Sequence, residues 1–186
     1  MSPSIVARED TSSDTCGDRA ADTGAVGVRN YLVEGVSCAG KTTVATELER
    51  RGHHVVHGDR VLAYQGDPLT GEPVPGHVHE HHVWDVAEVR RIVADHDTPR
   101  TFFCGGSRNF ARFIHLFDEV FVLELDRATL LQRLAARPDD EFGATPDERA
   151  LVLRLHETRE DLPAGTPVDA TRPLAEVVDE IERLCS

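Results

Sequence analysis

The stretch YLVEGVSCAGKTT, Tyr31 to Thr43, constrains this chain more than any other. It opens with a short apolar run ending at glycine, the pattern of a buried strand. Gly35-Val36-Ser37-Cys38-Ala39-Gly40-Lys41-Thr42 then satisfies G-x-x-x-x-G-K-[ST] at every fixed position. KTTVATELERRG follows as a helix stopped by Gly52. Strand, glycine turn and helix in this order make a phosphate-binding loop. Gly35 and Gly40 let the backbone turn tightly and approach a ligand. The N–H groups of Val36, Ser37, Cys38, Ala39 and Gly40 form an anion nest, and the helix beginning near Lys41 adds its positive end. Thr42 can offer a hydroxyl to Mg2+, with Thr43 beside it in the same turn. Lys41 is the only lysine, and the other 19 of the 20 basic residues are arginine. A compact ammonium on a flexible stem can fold over the loop and reach between phosphate oxygens, whereas a planar guanidinium is wider and seeks a bidentate partner.

The rest of the chain fits one domain of ordinary composition: 186 residues, 40% hydrophobic and 28% charged. A net charge of −13 argues against sequence-independent nucleic-acid binding and against docking on anionic membranes. No apolar run approaches a membrane span, and the N-terminus carries Arg8, Glu9 and Asp10 where a signal peptide needs an apolar stretch. Cys16, Cys38, Cys104 and Cys185 form no CxxC pair, which fits a reducing cytosol and a cytoplasmic protein.

Residues 1–28 are rich in Ser, Thr, Asp, Ala and Gly and read as a flexible leader, leaving 29–186 as the folded domain. After the first helix, HVVHGD reads as a second strand with Asp59 at its end. Residues 60–80 read as a loop, and HHVWDVAEVRRIVADHD as a helix. TFFCGG reads as a strand, RNFARFIHLF as a short helix, EVFVLEL as a strand and RATLLQRLAARP as a helix closed by Pro138. DDEFGAT is a polar loop, PDERALVLRLHETREDLP a helix with proline at its start, and TPVDAT a short fifth strand. The last helix carries Leu174, Val177, Val178, Ile181, Leu184 and Cys185 on one face. Short β-branched strands alternating with helices predict an α/β fold: about five parallel strands with helices on both faces.

From about residue 29 onward the chain resembles the small P-loop kinases, the group of shikimate kinase, gluconate kinase and nucleoside monophosphate kinases. Its loop is also similar to that of chloramphenicol phosphotransferase-like enzymes. The resemblance implies the three-layer P-loop NTPase fold with a short lid, ATP and Mg2+ as cofactors, and a small-molecule acceptor. The Asn-Lys-x-Asp motif of guanine-reading GTPases is ruled out by the single lysine, already committed to the loop. AAA+ machines need an apolar strand ending in Asp-Glu, and here Asp118 and Glu119 precede the strand.

In shikimate-kinase-like proteins the second strand ends in Asp-x-Asp, near the metal and the acceptor hydroxyl. Here the triplet is His57-Gly58-Asp59, so the resemblance gives Asp59 alone the metal-side and base role. Gly105 and Gly106 match a run that lets substrate approach the backbone, with Ser107, Arg108 and Asn109 following as acceptor contacts. Arg133 and Arg137 are four apart and share a helix face; the resemblance has them close over the transferring phosphate. Asp169, Thr171 and Arg172 lie where these kinases line the base. His77, His79, His81 and His82 lack metal-ligand spacing and read as a solvated loop or part of an acceptor pocket; Trp84 reads as core. The leading expectation is transfer of a phosphoryl group from ATP to a hydroxyl or phosphate of a small acceptor. The alternative is a nucleotide-binding regulatory module, or weak ATPase, with a protein partner.

Overall fold

Alternation along the strands decides the architecture. In the first strand, β1 (Arg29–Gly35), Tyr31 and Val33 join one apolar cluster while Leu32 joins a second on the opposite face. A strand buried on both faces must lie inside a sheet covered on both sides. The computed structural model describes residues 28–138 and 141–185, so the leader expected over 1–28 lies, except for Val28, outside the described residues. Six further strands follow: β2 (His54–His57), β3 (Ala63–Gln65), β4 (His82–Trp84), β5 (Arg100–Cys104), β6 (Glu119–Glu124) and β7 (Thr166–Asp169). Five of the seven strands form one sheet in the order β2-β5-β1-β6-β7, parallel throughout. The expected five-stranded parallel sheet is therefore present.

The helices are α1 (Lys41–Arg50), α2 (Gly58–Val61), α3 (Val86–Val93), α4 (Arg127–Ala135), α5 (Pro146–Thr158) and α6 (Leu174–Leu184). Val44 and Leu48 of α1, Leu130 and Leu134 of α4, and Val178 and Ile181 of α6 pack on the Tyr31 face. Val89 of α3 packs with Trp84, Phe103 and Phe113 on the Leu32 face. Register brings Val33 beside Cys104 and Gly35 beside Leu123, so the phosphate loop and the turn after β5 emerge side by side at the carboxyl edge. Ligands of open α/β sheets bind at that edge.

Four local expectations are corrected. Asp59 does not end β2; it lies in the short helix α2, just beyond the strand. Residues 60–80 are not all loop, since β3 pairs antiparallel with β4, Tyr64 opposite Val83. For the same reason the helix expected from His81 begins only at Val86, where the Asp85 side chain accepts from the N–H groups of Ala87 and Glu88 at 2.9 and 3.1 Å. An N-cap fixes a helix start more sharply than valine spacing does. RNFARFIHLF forms two 3-10 turns, Phe110–Arg112 and Ile114–Leu116, rather than one helix. Its aromatics explain this: Phe113 stacks on Trp84 at 5.5 Å between centroids, and Phe117 meets Phe103 edge-on at 5.0 Å. The start of α5 matches its sequence signal, with Pro146 in the first turn and a reciprocal capping box between Thr145 and Glu148.

Candidate functional site

The phosphate loop is held tight by packing as much as by glycine freedom. A Cβ on Gly35 would lie 2.9 Å from Ala39 Cβ and 3.0 Å from the Leu123 carbonyl oxygen, so only glycine fits beneath the turn. Gly40 caps α1 with φ of +106°, in left-handed space. Lys41 folds back over the loop, its Nζ donating to the carbonyls of Gly35 at 2.6 Å and Val36 at 3.2 Å. That position leaves the ammonium over the nest, as the sequence predicts for a compact cation. Ser37, Cys38, Ala39, Gly40, Lys41, Thr42 and Thr43 line a cavity of about 790 Å3. Gly35, Val36, Ser37 and Lys41 also line a second cavity of about 340 Å3.

The two arginines of α4 and its C-terminal turn diverge. Arg133 lines the larger cavity and binds the loop backbone: its guanidinium donates to the carbonyls of Ala39 (2.8 Å), Cys38 (3.3 Å) and Ala170 (2.6 Å). It thus ties the phosphate loop to the turn after β7, where Ala170 and Arg172 line the larger cavity. Arg137 reaches Ser37 Oγ at 3.4 Å and the Cys38 sulfur, pairs with Glu141 at 3.1 Å, and lines both cavities. Of the expected pair, Arg137 faces the space between the cavities, while the Arg133 donors are engaged by backbone carbonyls.

Asp59 is placed by a tryptophan floor. A Cβ on Gly58 would lie 2.0 Å from Trp84 Cζ2, and one on Gly105 would lie 2.7 Å from both Trp84 Cζ2 and Asp59 Oδ1. Both glycines are therefore required by the buried indole and the carboxylate, and Gly105 gives its close approach to Asp59 rather than to the cavity. Asp59 Oδ1 accepts from the Gly106 N–H at 3.0 Å and bonds His82 Nε2 at 3.2 Å. Partial burial pushes the carboxyl up, but the His82 bond, the Lys41 charge and the Gly106 amide together hold it below the usual carboxylate range. Asp59 is thus an ionised group beside Lys41, its side chain 43% exposed and facing both cavities.

Of the run after β5, Gly106 and Arg108 line the smaller cavity. Ser107 and Asn109 are instead buried: Trp84 N–H donates to Ser107 Oγ (3.1 Å) and to Asn109 Oδ1 (3.0 Å). They anchor β4 and, unlike Gly106 and Arg108, do not line the cavity where an acceptor contact is expected of them.

Sequence reasoning missed two carboxylates. Glu34, 1% exposed, accepts from the N–H groups of Gly35 at 2.9 Å and Ser107 at 3.2 Å. It clamps the start of the phosphate loop to the turn after β5. Burial pushes its carboxyl above the usual range, against the pull of Lys41, Arg108 and the two amides. Its signal was present: a lone acid inside the apolar run of β1. Asp161, after α5, pairs with Arg108 and bonds His79 Nε2. Nothing local in REDLP marks it. His77, His79 and His82 line the smaller cavity, which makes that part of the histidine stretch pocket wall.

Thr42 and Asp59, the expected magnesium contacts, both line the larger cavity. Among the described residues, Asp59 Oδ2 and the Thr42 hydroxyl carry no hydrogen bond. Mg2+ keeps several waters and takes one or two protein oxygens beside substrate phosphates, and this pair fits that demand.

The sequence matches no protein-family model and no curated protein. Its fold is similar to solved structures. A sugar kinase from a Janibacter species aligns with a TM-score of 0.56 at 18% identity, over 84% of this chain and 93% of that one. A gluconokinase from Sinorhizobium meliloti aligns with a TM-score of 0.51 at 20% identity, over the same shares of each chain, 84% and 93%. Likeness at these identities speaks for architecture, and it agrees with the sheet order and the loop geometry. The chain has the P-loop NTPase fold, with its glycine-rich loop at the carboxyl edge of a five-stranded parallel sheet.

Proposed function

We propose that the protein is an ATP-dependent small-molecule kinase, moving the γ-phosphoryl group of ATP to a hydroxyl of a small acceptor. One observation carries this reading: the nucleotide-sized cavity and the smaller one share Ser37, Lys41, Asp59 and Arg137. Two cavities meeting at a lysine, an arginine and a carboxylate suit a donor and an acceptor placed end to end. A regulatory module needs the first cavity but not the second. The sugar kinase and gluconokinase likeness accords with the same reading.

Each residue then has a part. The loop amides and Lys41 hold the β- and γ-phosphates. Thr42 and Asp59 would hold Mg2+, which would supply charge neutralisation at the phosphates when bound. Arg137 meets the charge on the transferring group from the opposite side. The acceptor oxygen forms its bond to the γ-phosphorus as the bond to the bridging oxygen of ADP breaks. Asp59 accepts the hydroxyl proton. A carboxylate of low pKa suffices, because loose phosphoryl transfer asks little activation of its nucleophile and much positioning. Glu34 lines neither cavity and positions the loop; Arg133 lines the nucleotide cavity but spends its donors on the loop and Ala170 carbonyls.

The test is transfer of label. Purified protein is incubated with γ-labelled ATP, Mg2+ and a mixed pool of small hydroxyl compounds, beside Lys41→Ala. Label entering a small molecule with the wild type alone is the expected result. ATP consumption indifferent to every acceptor would favour the ATPase or regulatory alternative.

A further inference from the structure

We infer that the acceptor is an uncharged hydroxyl compound with an apolar body, not a carboxylate or a phosphate ester. This rests on the kinase reading above and concerns the charge of the smaller cavity. Among the described residues, the lysines and arginines lining that cavity are Lys41, Arg108 and Arg137. Lys41 and Arg137 also line the larger cavity and belong to the phosphate. That leaves Arg108 as the one guanidinium able to greet an anionic acceptor.

The charge of Arg108 is already paired, although its buried Nε has no partner among the described residues. Its Nη1 pairs with the Asp161 carboxylate and donates to the Asp161 carbonyl at 3.3 Å. Its side chain is only 11% exposed. Glu34 flanks it across Gly106: a Cβ there would lie 3.4 Å from Glu34 Oε2 and 3.5 Å from Arg108 Nη2. The cavity wall adds the carboxylates of Asp59, Glu148 and Asp161. Two of its histidines are engaged too, His79 with Asp161 and His82 with Asp59. An acceptor carrying negative charge would meet carboxylates and no arginine without a carboxylate partner of its own, and like-charge contact in a partly closed site costs affinity steeply. A hydroxyl, as donor, finds acceptors on the same wall.

Apart from Gln65 and His77, the remaining wall is apolar: Val78, Phe142, Val152, Leu155 and Leu162. Phe142 stacks on His79 at 5.4 Å and 17°, presenting a flat surface. At about 340 Å3 the cavity sits at the small end of the roughly 300–1,000 Å3 typical of ligand sites. The occupant is therefore small, neutral and polar at the end that meets Asp59.

The experiment uses matched pairs of acceptors differing only in charge: aldoses or polyols against their sugar acids, nucleosides against their monophosphates, and aromatic alcohols bearing or lacking a carboxylate. Transfer from γ-labelled ATP·Mg is read for the full chain, and thermal protection of its ADP·Mg complex is read for the same pairs. Neutral members are expected to win in both readouts, by about tenfold or more in kcat/KM. Asp161→Asn uncovers Arg108 and should shrink or invert that preference. A wild type that prefers the anionic twin overturns this inference and leaves the kinase reading standing, as does a preference unmoved by Asp161→Asn. Transfer to no member, with no pair protecting the protein, removes both.

Discussion

Replacing Asp59 by asparagine separates what the carboxylate holds in place from what it does. Asparagine keeps an oxygen where Oδ1 now accepts from Gly106 N–H and His82, so the side chain should stay put. What changes is charge. Hydrogen bonds to a charged group exceed neutral ones by roughly 0.5–1.5 kcal/mol. With the side chain 43% exposed, screening leaves a stability loss of about 1 kcal/mol in all. For a domain of this size that lowers Tm by about 2–4 °C. Losing a proton acceptor at the reacting hydroxyl should instead lower kcat by about 100- to 10,000-fold, or about 2.7–5.4 kcal/mol of barrier. ATP is held by the loop and Lys41, so its KM should change little. The assay is steady-state kinetics with the accepted hydroxyl compound, beside thermal denaturation. An unchanged kcat would refute the base role. A Tm loss beyond about 10 °C would refute the hydrogen-bond argument, because the carboxylate charge would then be holding the turn together.

Arg133→Ala should act on binding rather than chemistry: with three carbonyl contacts gone from the loop and Ala170, KM for ATP should rise about tenfold while kcat falls far less, and the reverse split would place Arg133 on the transferring phosphate. Gly58→Ala drives a methyl to within 2.0 Å of the buried Trp84 ring. A loss of about 3 kcal/mol is expected, seen as a Tm drop of about 6 °C or more, and a silent substitution would refute the tryptophan floor. The carboxyls of Asp59 and Asp161 are both held below their ordinary value of 3.8: burial raises each, but His82 and Lys41 at Asp59, and His79 and Arg108 at Asp161, outweigh it. The native state therefore favours their ionised forms, so their share of stability is complete above that value and is lost as pH falls through the lower folded values. Urea midpoints should hold from pH 7 to about pH 5 with respect to these groups, and kcat/KM should show no Asp59 limb above about pH 4; an acid limb at pH 5–6 abolished in Asp59→Asn would refute the assignment.

The phosphate loop was legible from sequence because its chemistry is local. Gly35, Gly40, Lys41 and Thr42 belong to one turn of consecutive backbone groups, so spacing alone identifies them. The five parallel strands were legible for a similar reason: a strand buried on both faces writes its burial as a short apolar run. The hairpin of β3 and β4 was not, because each strand is three residues long and is stabilised by a partner far along the chain. The 3-10 turns over 110–116 follow from ring packing on Trp84 and Phe103, which residue spacing does not record.

The acceptor side divides the same way. Asp59 could be marked from its place after the second strand, but only packing shows that Trp84, Gly58 and Gly105 hold it there. Glu34 left a trace, an acid within β1, yet its function as a clamp depends on the Ser107 amide arriving from β5. Asp161 left none, since its meaning is the Arg108 charge that it neutralises across the cavity. Sequence by itself determined that the chain builds a glycine-rich loop between strand and helix on a parallel sheet, because neighbouring residues make that loop. Only the tertiary structure decided which cavity wall carries free charge, because charge balance is a property of residues brought together from β1, the β5 turn and the loop after α5.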